Sequence, residues 1–337
     1  MAEAFTETAL GKPIRDLGLA IPGTPLEPLV DKLMSEVVAA GIRRVRPRFY
    51  LSTEWGVPQD TIAIAMPFYL AHPELTDLHV RRAGHLEGED AADILRYLRH
   101  EMGHVVGYAY QLYAEERWTQ LFGRFTKRYR EEYRPKPFSR KFVRHLPGWY
   151  AQKHPDEDWA ETFAVWLTPG SDWRSQYAEW PAALAKLTYC DEETTRIGDL
   201  EPLVTDEERD EDVADIAYTL GEFYRDQEDD PGEEALPRGM DGTLRDVFAG
   251  LAPRAGEGQA SAAALLRRLE RELTAQVYRW TGHLPERTRV LVRRLARRAE
   301  ELALTYGPER ETAAVVAVTA LVAALAATHV TRGRYDP

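Results

Sequence analysis

The stretch RHEMGHVVGYAY, residues 99–110, contains two histidines and a glutamate whose spacing suits metal chemistry. His100 and His104 are four residues apart, so on a helix both imidazoles point to one side and can bind one zinc ion. Glu101 would border a water molecule at that ion and could act on it as a general base. Because a catalytic zinc site commonly has three protein ligands, a third ligand must come from elsewhere.

The same stretch does not provide that third ligand. Metzincins have a third histidine at the position of Tyr110, and a phenol with an ordinary pKa near 10 is a poor substitute. We expect Tyr108 and Tyr110 to be aromatic residues of the core or the site's rim. Further along, His145 and His154 stand alone in the sequence, and we expect them at the surface.

Two glutamates in PDEDWAETFA are better candidates for the third ligand. Glu157 and Glu161 are four residues apart and share one face of a helix. One carboxylate can bind zinc while the other accepts the free ring N–H of a ligand histidine. The nearby Trp159 indicates a buried helix, although Asp156 and Asp158 fit a solvated acidic face.

The elements that position these residues follow from hydrophobic periodicity. Apolar residues recur at helical spacing from Ile94 to Leu112, so the HEMGH motif is predicted to lie inside a helix. A second helix should begin after Pro155, since proline suits a first turn. Residues 45–52 and 60–70 are rich in β-branched and aromatic residues and predict two strands, which a hairpin with a long loop would join.

Composition restricts the class of protein and its compartment. The chain has 337 residues, a formal net charge of -12 and a pI near 5.4, which argues against binding nucleic acid through its phosphates. The single cysteine, Cys190, excludes an intramolecular disulfide, and we expect it to be a small, part-buried apolar residue. The first residues lack a basic region followed by an apolar one, so a cytoplasmic location is expected.

Charge also varies along the chain. Residues 117–145 form a basic stretch with ten Lys or Arg, whereas residues 206–234 form an acidic segment with fourteen Asp or Glu. We therefore predict domains at 1–203 and 204–337, the second all-helical after its acidic segment. Residues 312–330 carry no charge and are long enough to cross a bilayer. We favour a buried bundle helix over a tail anchor, so membrane association is not expected.

The motifs RHEMGHVVGYAYQLY and HPDEDWAETFAVWLTP, preceded by RFYLSTEWG and AMPFYLAHPEL, resemble a family of bacterial zinc-binding metallopeptidases. This gluzincin-like family has largely undefined substrates, and the resemblance covers roughly residues 10–200. It implies an α+β, zincin-like domain with a small N-terminal sheet, an HExxH active-site helix and Zn2+ as cofactor. The all-α C-terminal domain lies outside the family's pattern.

A more distant resemblance, to the catalytic domain of anthrax lethal factor, suggests a role for each residue. There the ligand glutamate opens an E-x-x-A-E run and a catalytic tyrosine stands seven residues earlier. The run from Glu157 and the position of Tyr150 match both features. The resemblance implies that Glu157 binds zinc, that Glu161 orients a ligand histidine, and that Tyr150 donates its O–H to the oxyanion.

The function that follows is a zinc metalloendopeptidase acting on a peptide or protein substrate. Glu101 would take a proton from the attacking water and pass it to the leaving amine. Zincins bind an extended substrate along an edge strand, for which residues 61–68 are the candidate. The alternative is a zinc-containing interaction or scaffold protein with a repurposed peptidase fold. Glu101 argues against it, because a structural zinc site needs no general base.

The basic stretch has three interpretations. The stretch is a solvated surface, or it recruits substrates with acidic residues, or the acidic segment 206–234 docks onto it and covers the cleft. The C-terminal helical domain could also bind a protein partner. Because exposed charges are screened by salt, ionic strength distinguishes the interpretations of the stretch.

Overall fold

The computed structural model of this chain describes residues 9–130, 133–228, 236, 239–253 and 258–335, without the side chains of 226–228. The chain divides into two compact units, Met1–Glu228 and Asp229–Pro337, here called unit 1 and unit 2. The architecture is mixed α/β, mostly helical with a small sheet, which agrees with the predicted class at that level.

Helices make up most of unit 1. The α-helices and strands of its described residues are α1 (Glu27–Ala39), β1 (Arg48–Ser52), β2 (Ala63–Pro67), α2 (Pro73–Ala83), α3 (Ala91–Ala109), α4 (Glu116–Phe122), α5 (Pro155–Leu167), α6 (Trp173–Gln176), α7 (Pro181–Ile197) and α8 (Leu220–Glu228). Short 3-10 helices lie at Ile14–Leu17, Phe68–Ala71, Leu112–Ala114 and Pro147–Gln152. The HEMGH motif lies in α3, and the two candidate glutamates lie in α5.

Helix α3 is fixed by its cap and by its apolar face. The carboxylate of Asp90 accepts a hydrogen bond of 2.8 Å from the backbone N–H of Asp93, which satisfies a free donor of the first turn. Leu98, Met102 and Val106 are fully buried in the core of unit 1. This burial holds the helix with its histidine face toward α5.

Helix α5 packs unusually close to α3. Its first turn is capped by the His154 side chain, whose Nδ1 accepts from the backbone N–H of Asp156. Trp159 Nε1 donates a hydrogen bond of 2.7 Å to the carbonyl oxygen of Gly103. A Cβ atom at Gly103 would lie 2.8 Å from Ala160 Cα, so only glycine permits this approach.

The two predicted strands are present, but the predicted hairpin is wrong. Strands β1 and β2 are parallel, with Tyr50 opposite Ala65. The connection from Ser52 to Ala63 passes the other side of β2, where Ala65 donates to the carbonyl oxygen of Gly56 at 2.8 Å. The chain thus crosses to the far side of β2 before it forms that strand, as a parallel pair requires. The pattern of the two strand segments does not predict this crossover.

Strand β2 is therefore not the free substrate edge that we expected. All five of its residues are buried, and at Ala65 the strand lies between β1 and Gly56. Just before the strand, the N–H of Ile62 donates to the carbonyl oxygen of Asp206 at 2.7 Å. An extended substrate would have to bind elsewhere.

The division between the units falls after residue 228, later than the composition change near residue 203. Residues 204–228 pack into the core of unit 1 through Val213, Ile216, Leu220, Phe223 and Tyr224. Their backbone N–H groups also donate hydrogen bonds to the rest of unit 1, for example from Val213 to the carbonyl oxygen of Leu51. Acidic residues alternate here with apolar anchors, so composition alone misplaced the boundary. Residues 229–234 of the acidic segment lie outside the described residues.

Unit 2 has its own hydrophobic core. The helices of its described residues are α9 (Met240–Ala249), α10 (Ala262–Arg268), α11 (Glu270–Thr281), α12 (Pro285–Glu301) and α13 (Glu311–Arg332), with a 3-10 helix at Pro308–Arg310. A two-residue antiparallel ladder joins β3 (Ala260–Ser261) to β4 (Thr305–Tyr306). The unit therefore contains a short pair of strands, whereas an all-helical domain was predicted. The core includes Leu266, Leu295 and Val322.

Helix α13 contains the long uncharged stretch. Among the described residues, Pro308–Arg332 is long and apolar enough to cross a membrane, by length and composition alone. One face, including Val318, Val322 and Leu325, is buried in unit 2, whereas Val316 is 64% exposed. The same helix thus supplies a stripe of core residues and an open apolar face.

Candidate metal centre

Three side chains from α3 and α5 converge in the interior of unit 1. His100 Nε2 lies 3.0 Å from Glu157 Oε2 and 3.1 Å from His104 Nε2. His104 Nε2 lies 3.3 Å from the same carboxylate oxygen. All three residues are buried, and together they form a group that could hold a metal ion.

The spacing of these three atoms fits zinc. Zinc binds histidine nitrogen at about 2.0–2.1 Å and carboxylate oxygen at about 2.0–2.2 Å, so tetrahedral ligand atoms lie about 3.3–3.4 Å apart. The three observed distances, 3.0, 3.1 and 3.3 Å, are close to that spacing. Two imidazoles and one carboxylate are also a known donor set for catalytic zinc, with a position left for water.

The other nitrogen of His100 contacts Glu161. The distance from His100 Nδ1 to Glu161 Oε1 is 3.1 Å, and both side chains are buried. Glu161 also accepts hydrogen bonds from the backbone N–H groups of His145 and Leu146, at 3.1 Å and 3.0 Å. With its lone pairs used in this way, Glu161 fixes the ring orientation of His100 and lies one turn away from the ligand position.

The other nitrogen of His104 faces Asp156, a residue that the sequence reading assigned to a solvated face. His104 Nδ1 lies 3.1 Å from Asp156 Oδ2, an ion-pair distance without the alignment of a hydrogen bond. Tyr108 donates its O–H to the same oxygen at 2.5 Å. Each candidate ligand histidine thus has one carboxylate behind it.

Asp158 is buried as well, so the expectation of a solvated acidic face is wrong for both aspartates. It pairs with the buried Lys186 at 2.5 Å, and the Lys186 ammonium also donates to the carbonyl oxygen of Lys141. A sequence with four acidic residues in six positions looks solvent-facing. The lysine that neutralises Asp158 stands 28 positions further along, where no local pattern reveals it.

Charge in the site favours a cation. Burial lowers the pKa of His100, but hydrogen bonds with Glu157 and Glu161 raise it by more, to about 9. Burial raises the pKa of Glu157, but hydrogen bonds with His100 and His104 hold it well below its usual value. Glu157 therefore remains ionised beside the two imidazoles, and a divalent cation bound there would take the place of the ring protons that balance its charge.

Glu101 is buried beside the two histidines. Burial raises its pKa to about 7, although the charges of His100 and His104 lower it. A carboxyl group with a pKa near neutrality both accepts and releases a proton readily, which suits a general base.

Two tyrosine hydroxyls lie at this centre. The ring of Tyr150 packs edge-on against the His100 imidazole, with centroids 5.5 Å apart. Tyr129, which the sequence reading did not single out, donates its O–H to Glu157 Oε1 at 2.6 Å. The two hydroxyl oxygens are 3.5 Å apart. Tyr129 belongs to the basic stretch, where no periodicity marks it as part of a site.

The remaining candidates take other roles. The expectation that His154 lies at the surface is wrong, because it is buried, caps α5 and lies 2.7 Å from the carbonyl oxygen of Lys127 through Nε2. His145 is half-buried, with Nε2 2.9 Å from the carbonyl oxygen of Arg96. Tyr110 is a buried aromatic that donates to the Leu200 carbonyl, as expected of a core residue.

Comparison with sequence models of protein families gives a match over the middle of the chain. Neither the curated proteins nor the solved structures compared with the chain contain a match. Residues 74–183 match the sequence model of a family described as "Putative zinc-binding metallo-peptidase". This range is narrower than the expected residues 10–200, but it contains α3, α5 and every side chain of the centre. Over residues 74–183 the chain is a match to this zinc-binding metallopeptidase family, as its two motifs predict.

Proposed function

We propose that the chain is a zinc-dependent endopeptidase with His100, His104 and Glu157 as its metal ligands. The observation that carries this proposal is the convergence of two ring nitrogens and one carboxylate oxygen within 3.3 Å of one another. The buried Glu101 in the same motif distinguishes the site from a structural one, which needs no base.

The residues of the chain would divide the work of hydrolysis. Zinc held by the three ligands would lower the pKa of a bound water toward about 7 and polarise the scissile carbonyl. Glu101 would accept the water's proton and deliver it to the nitrogen of the leaving amine. Burial of this carboxyl, which raises its pKa, favours its holding the proton between the two transfers.

Tyr150 is the proposed donor to the oxyanion. It packs on His100, and burial together with the charge of Glu157 raises its pKa well above the usual value, so the phenol keeps its proton. A neutral O–H beside the metal ligands could stabilise negative charge that develops on the carbonyl oxygen. Glu161 and Asp156 would hold the histidine rings in place.

Cleavage of an unbiased peptide library by the zinc-loaded chain tests this proposal. The matched control is Glu101→Gln, purified identically, which should keep its zinc and fold but lose at least roughly 10² to 10⁴ in rate. Equal cleavage by both proteins would mean that a contaminant or another residue is responsible. Zinc binding without cleavage by the wild type would instead favour the interaction-protein alternative.

A further inference from the structure

Tyr129 occupies a position that the proposed mechanism does not use. It lies on the basic stretch after α4, and its ring is partly exposed while its hydroxyl reaches the metal centre. The O–H donates to Glu157 Oε1 at 2.6 Å. A residue 28 positions before the ligand thus contacts it directly.

The two oxygens of Glu157 have different partners. Oε2 faces the Nε2 atoms of His100 and His104, at 3.0 Å and 3.3 Å. Oε1 accepts the hydrogen bond from Tyr129. Because a hydrogen-bonded oxygen is less available to a metal, this arrangement leaves Oε2 as the single ligand atom and fixes the rotation of the carboxylate.

Neighbouring groups hold Tyr129 in this position. The Lys153 ammonium lies 4.5 Å from the centre of its ring, and the ring also packs against His154 with centroids 5.3 Å apart. His154 accepts from the Asp156 N–H through Nδ1, so its Nε2 carries the proton and donates to the Lys127 carbonyl at 2.7 Å. This contact links the backbone two residues before Tyr129 to the start of α5.

We propose that Tyr129 is a positioning residue that fixes Glu157 as a one-oxygen metal ligand. The proposal rests on the zinc-binding part of the proposed function and not on hydrolysis. Tyr129 contacts the proposed ligand Glu157 itself, so its removal should weaken metal binding rather than the chemical step. Tyr150 should behave in the opposite way, because its proposed hydrogen bond strengthens only as the oxyanion forms.

Zinc affinity, measured by competition with a chromophoric chelator, tests the proposal. Tyr129→Phe keeps the ring and removes only the hydroxyl, and it should weaken zinc binding by roughly 10- to 100-fold. The matched control is Tyr133→Phe, which removes a hydroxyl on the same stretch that donates to the Gly148 carbonyl at 2.7 Å. This control should leave zinc affinity unchanged, as should Tyr150→Phe.

Turnover at two free-zinc concentrations provides the second measurement. Tyr129→Phe should be inactive at low free zinc and recover nearly the wild-type kcat at high free zinc, whereas Tyr150→Phe should stay on the order of 10²-fold slower at both. Unchanged zinc affinity in Tyr129→Phe, or a lowered kcat that zinc does not restore, would overturn the proposal. A wild-type chain that binds no zinc would overturn both this and the proposed function, and one that binds zinc but cleaves nothing would overturn only the latter.

Discussion

Single side chains in the metal centre use both of their polar atoms. Each proposed ligand histidine directs Nε2 to a common point and Nδ1 to a carboxylate, Glu161 for His100 and Asp156 for His104. Glu157 directs one oxygen inward and the other to Tyr129. Outer contacts of this kind set the tautomer and orientation of a ligand, so each has a measurable effect on the metal.

The two glutamates of α5 should respond differently to removal. Glu157→Ala should nearly abolish zinc binding, because it deletes one of three ligands. Glu161→Ala should weaken zinc affinity or activity by roughly 10- to 100-fold, since it frees the His100 ring but deletes no ligand. Metal content after dialysis against a range of free zinc distinguishes these outcomes. The reverse ranking would make Glu161 the ligand.

The sequence predicts the residues at the centre better than their surroundings. Residue pairs four positions apart, such as His100 and His104, could be predicted because residues i and i+4 of a helix lie on the same face. Asp156 was missed because a run of acidic residues suggests solvent. Tyr129 was missed because it lies 28 positions before Glu157 and outside any helix or strand, so no periodic pattern predicts where its side chain points.

Among the helices, the site depends on how closely α3 approaches α5. Gly103 faces Ala160, which lies between the two glutamates of α5, and Trp159 bonds to the Gly103 carbonyl. The strands were recognised from β-branched residues, but their parallel pairing depends on the crossover at Gly56, which local sequence does not encode. Periodicity predicted the two helices, but it did not predict how closely α3 and α5 approach each other.

Gly103→Ala should destabilise unit 1. Its Cβ would lie 2.8 Å from Ala160 Cα, so the helices must separate, at a cost of about 1–3 kcal/mol that outweighs about 1 kcal/mol of improved helix propensity. Gly242→Ala in α9 is the control, because no atom lies within 4 Å of its Cβ and it should be neutral or slightly stabilising. Thermal unfolding and zinc content measure both effects. A Gly103→Ala chain with wild-type stability and zinc affinity would contradict the close-packing argument.

The basic stretch contacts the centre through Tyr129 and through the N–H group of His145. We propose that its exposed cations recruit substrates with acidic residues. Arg128→Glu should then raise KM for an acidic peptide at low salt. The difference should shrink at high salt, because interactions between exposed charges are screened beyond about 8 Å at physiological ionic strength and over shorter distances as salt rises. Arg297→Glu, an exposed position on α12, is the control. A KM independent of salt and of Arg128 would leave the stretch as a solvated surface.

In the chain as a whole, the described part of the acidic segment, residues 206–228, belongs to unit 1. Within the described residues it bonds to β1 and to the N-terminal segment, through Val213 to Leu51 and through Leu220 to Lys12. These contacts argue against the interpretation in which it docks onto the basic stretch. Composition predicted two domains. It did not predict where the first one ends, because buried apolar residues are interspersed among the acidic residues after position 203.

Truncation should locate that end. A chain of residues 1–228 should fold cooperatively and bind one zinc, because it keeps the whole core of unit 1. A chain of residues 1–203 should be unfolded or markedly less stable, since it loses core residues such as Ile216, Leu220 and Tyr224, each contributing about 1.5–3 kcal/mol for apolar side chains of this size. Circular dichroism melting and zinc content compare the two. Equal stability would return the boundary to residue 203.

The proposed function requires a single zinc ion on two histidines and one glutamate, with a fourth position for water. X-ray absorption at the zinc edge of the purified, zinc-loaded chain measures this ligand set. We expect one zinc per chain with four nitrogen or oxygen ligands at about 2.0–2.1 Å, two of them imidazoles. Glu101→Gln should leave this spectrum intact. A sulfur ligand from Cys190, a single imidazole, or no bound zinc would rule out the proposed site.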